Sequence, residues 1–158
     1  MNIAQVLVVD DDVAVCRIIH RMLSGEKYEV QAVNSVAGAL KLIEQRSFDV
    51  YVLDYKLPDG TGLDVAERLR SKQGAAPIIL ISGYNPSSVA LRAERLCITE
   101  FLQKPFSRET ICEVMQKAID SSSSAAPADS ASEGSQARKP LLMNFIPRLD
   151  ESKLPWKD

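Results

Sequence analysis

The stretch VLVVDDD (residues 6–12) decides the fold, because four aliphatic residues are followed directly by three aspartates. The aliphatic run is typical of a buried β-strand, whereas neighbouring carboxylates repel one another. At about 4 Å and an effective dielectric constant near 20, one such pair costs on the order of 4 kcal/mol. We therefore expect either water or a cation to screen these charges where the strand ends.

Short aliphatic runs alternate with longer segments of helical period along the chain. The predicted strands are residues 5–9, 28–33, 49–53, 77–81 and 100–102. The predicted helices are residues 13–23, 36–45, 63–71, 85 to about 96 (with Asn85 as cap), and a last helix capped by Ser107 and ending near Asp120. This alternation predicts an α/β fold with a mostly parallel sheet and helices on both faces. Among doubly wound sheets we expect the flavodoxin-like one, with five parallel strands in the order 2-1-3-4-5.

Composition narrows the class of protein. A hydrophobic fraction of 46% and a charged fraction of 25% are typical of a globular domain, and the net charge of −2 gives no indication of nucleic-acid binding. No apolar run approaches the roughly 18 residues of a membrane span, and no signal segment follows Met1. The cysteines are an odd number at wide spacing, and we expect buried free thiols at Cys16, Cys97 and Cys112. Together these features indicate a cytoplasmic protein.

The chain divides into three parts by composition. Residues 1–120 are predicted to form one domain, in which the first helix buries Val15, Ile18, Ile19 and Met22 on one face. Residues 121–140 are rich in Ser and Ala and read as a disordered linker. Residues 141–158 form a short apolar tail of unknown role, for which a docking peptide, a strip packed on the domain and disorder all remain open. We expect no output domain and no direct DNA binding, since residues 121–158 carry five basic and five acidic side chains.

Polar residues follow the predicted strands at one edge of the sheet. Asp10 and Asp11 follow the first strand, Asp54 the third, Ser82 the fourth and Lys104 the fifth. In an open parallel sheet, ligands bind outside the carboxyl ends of the strands where the strand order reverses, here between the first and third strands. We therefore expect these five side chains to share one pocket.

Clustered carboxylates suit a hard divalent ion, above all Mg²⁺, which accepts one or two carboxylates and keeps water for a phosphate-bearing ligand. An aspartate can also act as the nucleophile toward a phosphoryl group and form an aspartyl-phosphate. The charge on the transferred oxygens then needs a cation and hydrogen-bond donors, which Lys104 and Ser82 could supply.

Four motifs at consistent distances carry a resemblance to a known family. They are VVDD at 8–11, DYKLPDGTG at 54–62, LISG at 80–83 and FLQKPF at 101–106. In this order, each at a strand end, they make residues 3–120 resemble the receiver domain of two-component response regulators.

The resemblance implies a site for phosphoryl transfer. Asp54 matches the phosphoryl acceptor, and Asp10 and Asp11 match the residues that hold Mg²⁺ together with Asp54. The main-chain carbonyl of Lys56 matches the family's further metal ligand.

The resemblance also implies a two-state switch. Lys104 matches the lysine that pairs with the phosphoryl group, followed by Pro105 in what is usually a cis peptide bond. Ser82 matches the hydroxyl position and Phe101 the aromatic whose rotamer reports activation. Such a domain receives its phosphoryl group from the phosphohistidine of a histidine kinase or phosphotransfer protein and signals through protein contacts.

Two other functions stay open at this point. A phosphorylation-independent adaptor would keep the fold without the chemistry. A Mg²⁺-dependent aspartyl phosphatase of the haloacid-dehalogenase type would be an enzyme, but its motif needs a second acid two residues after the nucleophile, where this chain has Lys56. We therefore expect a protein that is not an enzyme beyond its own phosphoryl transfer and dephosphorylation.

Several residues have plainer interpretations. Asp12 is expected to be an acid at a helix N-terminus, and Asp59 and Thr61 to be turn residues. His20 is expected to be exposed on a polar helix face. Before the fifth strand, the family's usual Gly-Ala pair is replaced by Cys97 and Ile98. A left-handed residue without glycine costs roughly 1 kcal/mol, or else the turn differs there.

Overall fold

The computed structural model of the chain describes residues 3–25, 27–73, 76–83, 87 and 89–123. Residues 121–123 of the predicted linker belong to the last helix of the structure. The rest of the predicted linker, the apolar tail and the predicted cap Asn85 lie outside the described residues. The strands are β1 (Ala4–Val9), β2 (Tyr28–Val33), β3 (Val50–Asp54), β4 (Lys56–Leu57), β5 (Gly60–Thr61), β6 (Ile78–Ser82) and β7 (Glu100–Gln103). The helices are α1 (Val13–Leu23), α2 (Val36–Gln45), α3 (Gly62–Gln73), α4 (Ala90–Arg95) and α5 (Arg108–Ser123).

Five of these strands form one parallel sheet in the order β2-β1-β3-β6-β7. This is the predicted topology, so the prediction of a doubly wound flavodoxin-like sheet is confirmed. The carboxyl ends of β1 and β3 lie side by side, since Val9 pairs with Leu53. Asp54 and Ser82 are the last residues of their strands, one residue further along than the predicted strand ends.

The Pro-Asp-Gly-Thr segment contains the predicted turn, with a short strand on each side of it. It closes into a two-stranded antiparallel hairpin in which Lys56 pairs with Thr61 and Leu57 with Gly60. The buried side chain of Leu57 anchors this hairpin on the core. The hairpin pairing and the buried Leu57 together fix the backbone that follows Asp54.

The core consists of two layers separated by the sheet. Successive strand residues point to opposite faces, so Val6 and Val8 pack with α1 and α5, whereas Leu7 and Val9 pack with α2 and α3. All of these strand side chains are fully buried. Near-continuous aliphatic strands are what a parallel sheet covered on both faces requires.

One predicted core residue of α1 is wrong. Ile18 is 49% exposed, and the inward stripe instead consists of Cys16, Ile19 and Leu23. Residues in a helix are about 100° apart, so a stripe through Ile19 turns Ile18 toward solvent. The prediction failed because apolar residues occur around most of this helix, and the periodicity alone did not select the face. His20 is exposed, as predicted.

The cysteines are free, but they are not all buried as predicted. Cys16 is buried, Cys112 is half-buried and Cys97 is exposed. Cys97 ends the α4 segment with φ of 52°, the left-handed conformation that favours glycine. The turn therefore keeps the left-handed geometry despite lacking glycine, and this geometry turns the thiol outward.

Arg70 supports this left-handed turn from the neighbouring helix. Its guanidinium donates to the carbonyls of Leu96 at 2.6 Å, Cys97 at 2.8 Å and Ala76 at 2.7 Å. The bonds to Leu96 and Cys97 satisfy carbonyls that the end of α4 leaves without intrahelical donors, and the bond to Ala76 ties the same guanidinium to the segment before β6. Within the described part of the chain, none of the helices is both long and apolar enough to span a membrane.

The two adjacent isoleucines of α1 give a direct test of its buried face. We expect Ile19→Ala to lower the free energy of unfolding by about 2–5 kcal/mol, because it leaves a cavity between α1 and the sheet. Ile18→Ala serves as the matched control and should change it by less than about 1 kcal/mol. Urea unfolding of the two variants measures the difference, and similar losses would contradict the assigned face.

Candidate functional site

Two carboxylates from distant parts of the sequence meet where β1 and β3 end. Asp10 is 1% exposed and Asp54 is 5% exposed, whereas the neighbouring Asp11 lies at the surface. One oxygen from each of the three carboxylates lies within 4.8 Å of the others. The predicted convergence of these acids is therefore present in the structure.

Lys104 brings a positive charge to the same place. Its ammonium lies 2.8 Å from Asp10 Oδ2 and 3.4 Å from Asp54 Oδ2. Its backbone N–H donates to the carbonyl of Ser82 at 2.9 Å, which fixes the loop after β7 against the end of β6. The peptide bond between Lys104 and Pro105 is cis, as the resemblance implied.

Burial and charge shape the ionisation of this group of side chains. Burial raises the pKa of Asp54 to about 6, and the negative charge of Asp10 adds to this, whereas Lys104 opposes it. For Lys104, burial favours the neutral amine, but the contacts with Asp10 and Asp54 outweigh it and raise the pKa. Lys104 therefore stays cationic, and Asp54 is ionised at neutral pH at a free-energy cost to the fold.

Backbone contacts hold Asp10 in place. Its side-chain Oδ1 accepts from the N–H of Asp12 at 2.9 Å, and its carbonyl accepts from Asn34 Nδ2 at 2.9 Å and from Cys16 Sγ at 3.4 Å. Burial and the nearby charge of Asp10 raise the pKa of the Cys16 thiol to about 11, so it acts as a neutral donor. The sequence reasoning missed Asn34 and this role of Cys16, although Asn34 follows β2 at the same sheet edge.

Asp12 has the plainer role predicted for it. Its carboxylate accepts from the N–H of Ala14 at 2.8 Å and caps the start of α1. The three consecutive aspartates therefore have three different environments. Asp10 is buried, Asp11 faces the pocket from the surface, and Asp12 caps a helix.

The segment after Asp54 is tied closely to its surroundings. The N–H of Tyr55 donates to Ile81 in β6 at 2.8 Å, and the N–H of Gly62 returns to the carbonyl of Tyr55 at 3.0 Å. Thr61 and Asp64 exchange hydrogen bonds at the start of α3, from Thr61 N to Asp64 Oδ2 and from Asp64 N to Thr61 Oγ1. The turn role predicted for Thr61 is thus a helix cap.

The other residues predicted for the site are Ser82, Lys56 and Phe101. Ser82 is buried at the end of β6, and Lys56 lies in β4 directly after the Asp54 strand. Phe101 is half-buried inside β7, opposite Leu80, and packs against the core layer of α2, α3 and α4. Its role as a switch stays a prediction.

The donor set fits a hard divalent cation. Asp10 Oδ2 is buried, and the Lys104 ammonium 2.8 Å away uses at most one of its lone pairs. It therefore has lone pairs available to a ligand, as an oxygen at a metal site requires. Three carboxylate oxygens within reach of one another are the ligands that Mg²⁺ prefers.

The raised pKa of Asp54 predicts how stability depends on pH without metal. Asp54 binds a proton more tightly in the folded state than in the unfolded chain, so its own contribution to stability is highest below pH about 4 and falls as the pH rises to about 6. Asp54→Asn removes the penalty and should raise the unfolding free energy above pH 6 by on the order of 2 kcal/mol. The gain should vanish near pH 4.

Urea unfolding in EDTA across this range measures the effect, with the exposed Asp12→Asn as the control for loss of one negative charge. A gain that is constant from pH 4 to pH 8 would contradict the assignment to Asp54 ionisation.

Gly62 provides a second prediction, because a Cβ at this position would fall well inside van der Waals contact with the carbonyl oxygen of Asp54. We expect Gly62→Ala to lower the unfolding free energy by about 1–3 kcal/mol, because the backbone at Asp54 or at Gly62 must shift to make room for the Cβ. Gly25→Ala is the matched control, because a Cβ there meets nothing within 4 Å. Equal stability of the two variants would show that the loop after Asp54 is less tightly packed than described.

Comparisons with curated proteins point to one family. A family model described as the response regulator receiver domain matches residues 6–116. The chain is 26% identical over 158 residues to the response regulator protein PilR of Pseudomonas aeruginosa, covering 98% of this chain and 36% of PilR. It is 34% identical over 99 residues to the photosynthetic apparatus regulatory protein RegA of Rhodovulum sulfidophilum, covering 63% of this chain and 54% of RegA. The chain thus spans about a third to a half of these relatives.

Solved structures agree. A CheY-like response regulator receiver domain protein from Methanospirillum hungatei JF-1 shares the fold, with a TM-score of 0.74 and 24% identity over 77% of this chain and 98% of that chain. NtrX from Brucella abortus has a TM-score of 0.71 and 27% identity over 77% of this chain and 28% of its own. With the family model spanning most of the described residues, the chain belongs to the receiver domain family of two-component response regulators.

Proposed function

We propose that this receiver accepts a phosphoryl group on Asp54 from the phosphohistidine of a histidine kinase or phosphotransfer protein. The observation that carries the proposal is the Lys104 ammonium, 2.8 Å from Asp10 and 3.4 Å from Asp54. A buried carboxylate that is ionised beside a fixed cation is suited to attack phosphorus, because the same cation can then pair with the phosphoryl oxygens.

The transfer forms one bond and breaks another. An Asp54 carboxylate oxygen forms a bond to phosphorus while the P–N bond of the donor breaks and its electron pair returns to the imidazole. Lys104 pairs with the negative oxygens as they approach, and the Ser82 hydroxyl at the end of β6 donates to one of them. Since the pKa of Asp54 is about 6, the nucleophilic carboxylate predominates at neutral pH.

Receiver domains typically bind Mg²⁺ at an acidic pocket, and the carboxylate cluster of this chain has the matching oxygens. We assign the ion to Asp10, Asp11 and Asp54, together with the main-chain carbonyl of Lys56. When bound, Mg²⁺ offsets the repulsion among the carboxylates and adds positive charge beside the phosphoryl oxygens.

The response to phosphorylation is assigned to the same sheet edge. Drawing Ser82 and Lys104 toward the phosphoryl group moves the ends of β6 and β7, and Phe101 then reorients beside α4. A phosphoryl group shifts such an equilibrium only by its different affinity for the two states. Signalling then proceeds through protein contacts at the altered face, without catalysis on other substrates.

The broader setting is also part of this proposal. Residues 1–120 act as the receiver in the cytoplasm, the chain from the end of α5 to residue 140 as a linker, and residues 141–158 as an apolar tail. Curated relatives include the DNA-binding transcriptional regulator NtrC, of which this chain spans 25%. We assign no DNA contact to this chain, since residues 121–158 have equal numbers of basic and acidic side chains.

A small-molecule donor tests the acceptor directly. We expect acetyl phosphate with Mg²⁺ to add one phosphoryl group to the purified protein, and Asp54→Asn to abolish the addition because the nucleophile is lost. Intact-mass spectrometry measures the product. Asp12→Asn is the matched control, since Asp12 caps α1 and should label as the wild type does.

The outcomes separate the alternatives. Labelling that persists in Asp54→Asn would remove Asp54 from its role. A wild-type protein that is labelled by neither acetyl phosphate nor a panel of kinases would favour the phosphorylation-independent adaptor. Turnover of phosphate esters would favour the aspartyl phosphatase instead.

A further inference from the structure

The corner between β2 and α2 (residues 34–37) contacts both halves of the pocket. On one side, the N–H of Asp10 donates to the carbonyl of Val33 at 3.1 Å, and Asn34 Nδ2 donates to the carbonyl of Asp10 at 2.9 Å. The backbone of Asp10 is therefore bonded to the end of β2 through both its N–H and its carbonyl.

On the other side, the corner is bonded to the loop that follows Asp54. Asp59 Oδ1 accepts from the N–H of Val36 at 2.8 Å, and Asp59 Oδ2 accepts from the N–H of Ala37 at 2.9 Å. These are among the first N–H groups of α2, which have no partners inside the helix. The hydroxyl of Ser35 satisfies the next one, from Gly38, at 3.0 Å.

The contact with Asp59 is close and charge-assisted. The hydrogen bonds from Ala37 and Val36 hold the pKa of the Asp59 carboxyl below its usual value. A Cβ on the adjacent Gly60 would come within 3.2 Å of Val36 Cγ2, so the hairpin tip lies directly against the first residue of α2. A negative carboxylate at a helix N-terminus is favourable with the helix dipole.

The hairpin connects Asp59 to the proposed acceptor Asp54 through a short stretch of backbone. Asp59 lies at the turn between β4 and β5, and that hairpin begins two residues after Asp54. The bond from Gly62 N to the carbonyl of Tyr55 closes the loop at its base. Displacing Asp59 should therefore displace the backbone that carries Asp54.

We propose that Asn34 and Asp59 are positioning residues that together brace the pocket and set the spacing between Asp10 and Asp54. The β2–α2 corner is the rigid part between them, held by Asn34 to Asp10 and by Asp59 to the acceptor loop. The consequence for Mg²⁺ affinity and phosphorylation rests on the proposed function, whereas the spacing of the two carboxylates does not.

A control is needed because both residues also stabilise the fold. Asp49 is a matched case, since its Oδ2 accepts a backbone N–H from Gln5 at 2.7 Å. It precedes β3, at the opposite end of the strand from Asp54. If Asp59 had a purely structural role, Asp59→Ala and Asp49→Ala would both lose stability and both keep the Mg²⁺ affinity of the wild type.

The first experiment measures Mg²⁺ binding by calorimetry and stability by urea unfolding for each variant. We expect Asn34→Ala and Asp59→Ala each to weaken Mg²⁺ affinity about 10-fold, the size typical of lost outer-shell partners. The double variant should be little weaker than the worse single variant, because releasing either end frees the brace. Asp49→Ala should lose stability and keep its affinity. Asp59→Asn retains one acceptor oxygen, so its Mg²⁺ affinity should lie between those of the wild type and Asp59→Ala. It replaces Asp59→Ala in the experiment if that variant does not fold.

The second experiment needs no metal. In EDTA at neutral pH, Asp54→Asn removes a buried charge and its repulsion with Asp10. We expect this gain in unfolding free energy to shrink in the Asp59→Ala background, where the released acceptor loop lets the Asp54 carboxylate move away from Asp10. An unchanged gain, together with unchanged Mg²⁺ affinity, would overturn the brace. If the wild type neither binds Mg²⁺ nor is labelled, the proposed function has failed, and the metal-free comparison still decides whether the brace exists.

Discussion

The structure depends on one electrostatic arrangement, the ammonium of Lys104 facing the carboxylates of Asp10 and Asp54 where three strands end. Two carboxylates buried to this degree would repel strongly without a cation, and the raised pKa of Asp54 reflects first its burial and then the repulsion from Asp10 that Lys104 does not offset. The cation arrives from β7, the far edge of the sheet, because its backbone is bonded to Ser82 at the end of β6. Any change that moves these strand ends alters the chemistry directly.

The loops around this arrangement are held by hydrogen bonds between side chains and distant backbone groups. Asp10 is held through Asp12, Asn34 and Cys16, and the acceptor loop through its hairpin and Asp59. Contacts of this kind resist displacement of the loops that carry the two carboxylates. The two carboxylates therefore keep their positions although their charges repel. The repulsion is confined to the site, whereas the hydrogen bonds that oppose displacement come from neighbouring strands and helices.

Much of the fold and the site was predictable from the sequence, for identifiable reasons. Parallel strands buried on both faces have continuous aliphatic runs, and their carboxyl ends must share an edge, so the order of Asp10, Asp54, Ser82 and Lys104 along the chain predicted one pocket. The buried face of a single helix was less predictable. Ile18 of α1 is exposed although it is apolar, because α1 is apolar on more than its inward face. The orientation of Cys97 depended on a left-handed turn supported by Arg70, a residue 27 positions away.

The sequence by itself determined the fold class, the sheet order and the identity of the polar residues at the sheet edge. The fold class follows from local periodicity, the sheet order from the flavodoxin-like arrangement that the motifs resemble, and the shared edge from the requirement that parallel strands end together. Only the tertiary structure decided the different environments of the three aspartates, the hairpin after Asp54 and the contacts of Asn34 and Asp59 with distant backbone. Hydrogen bonds between residues 23 or 24 positions apart leave no pattern in a single sequence, because any polar side chain in a loop could make them.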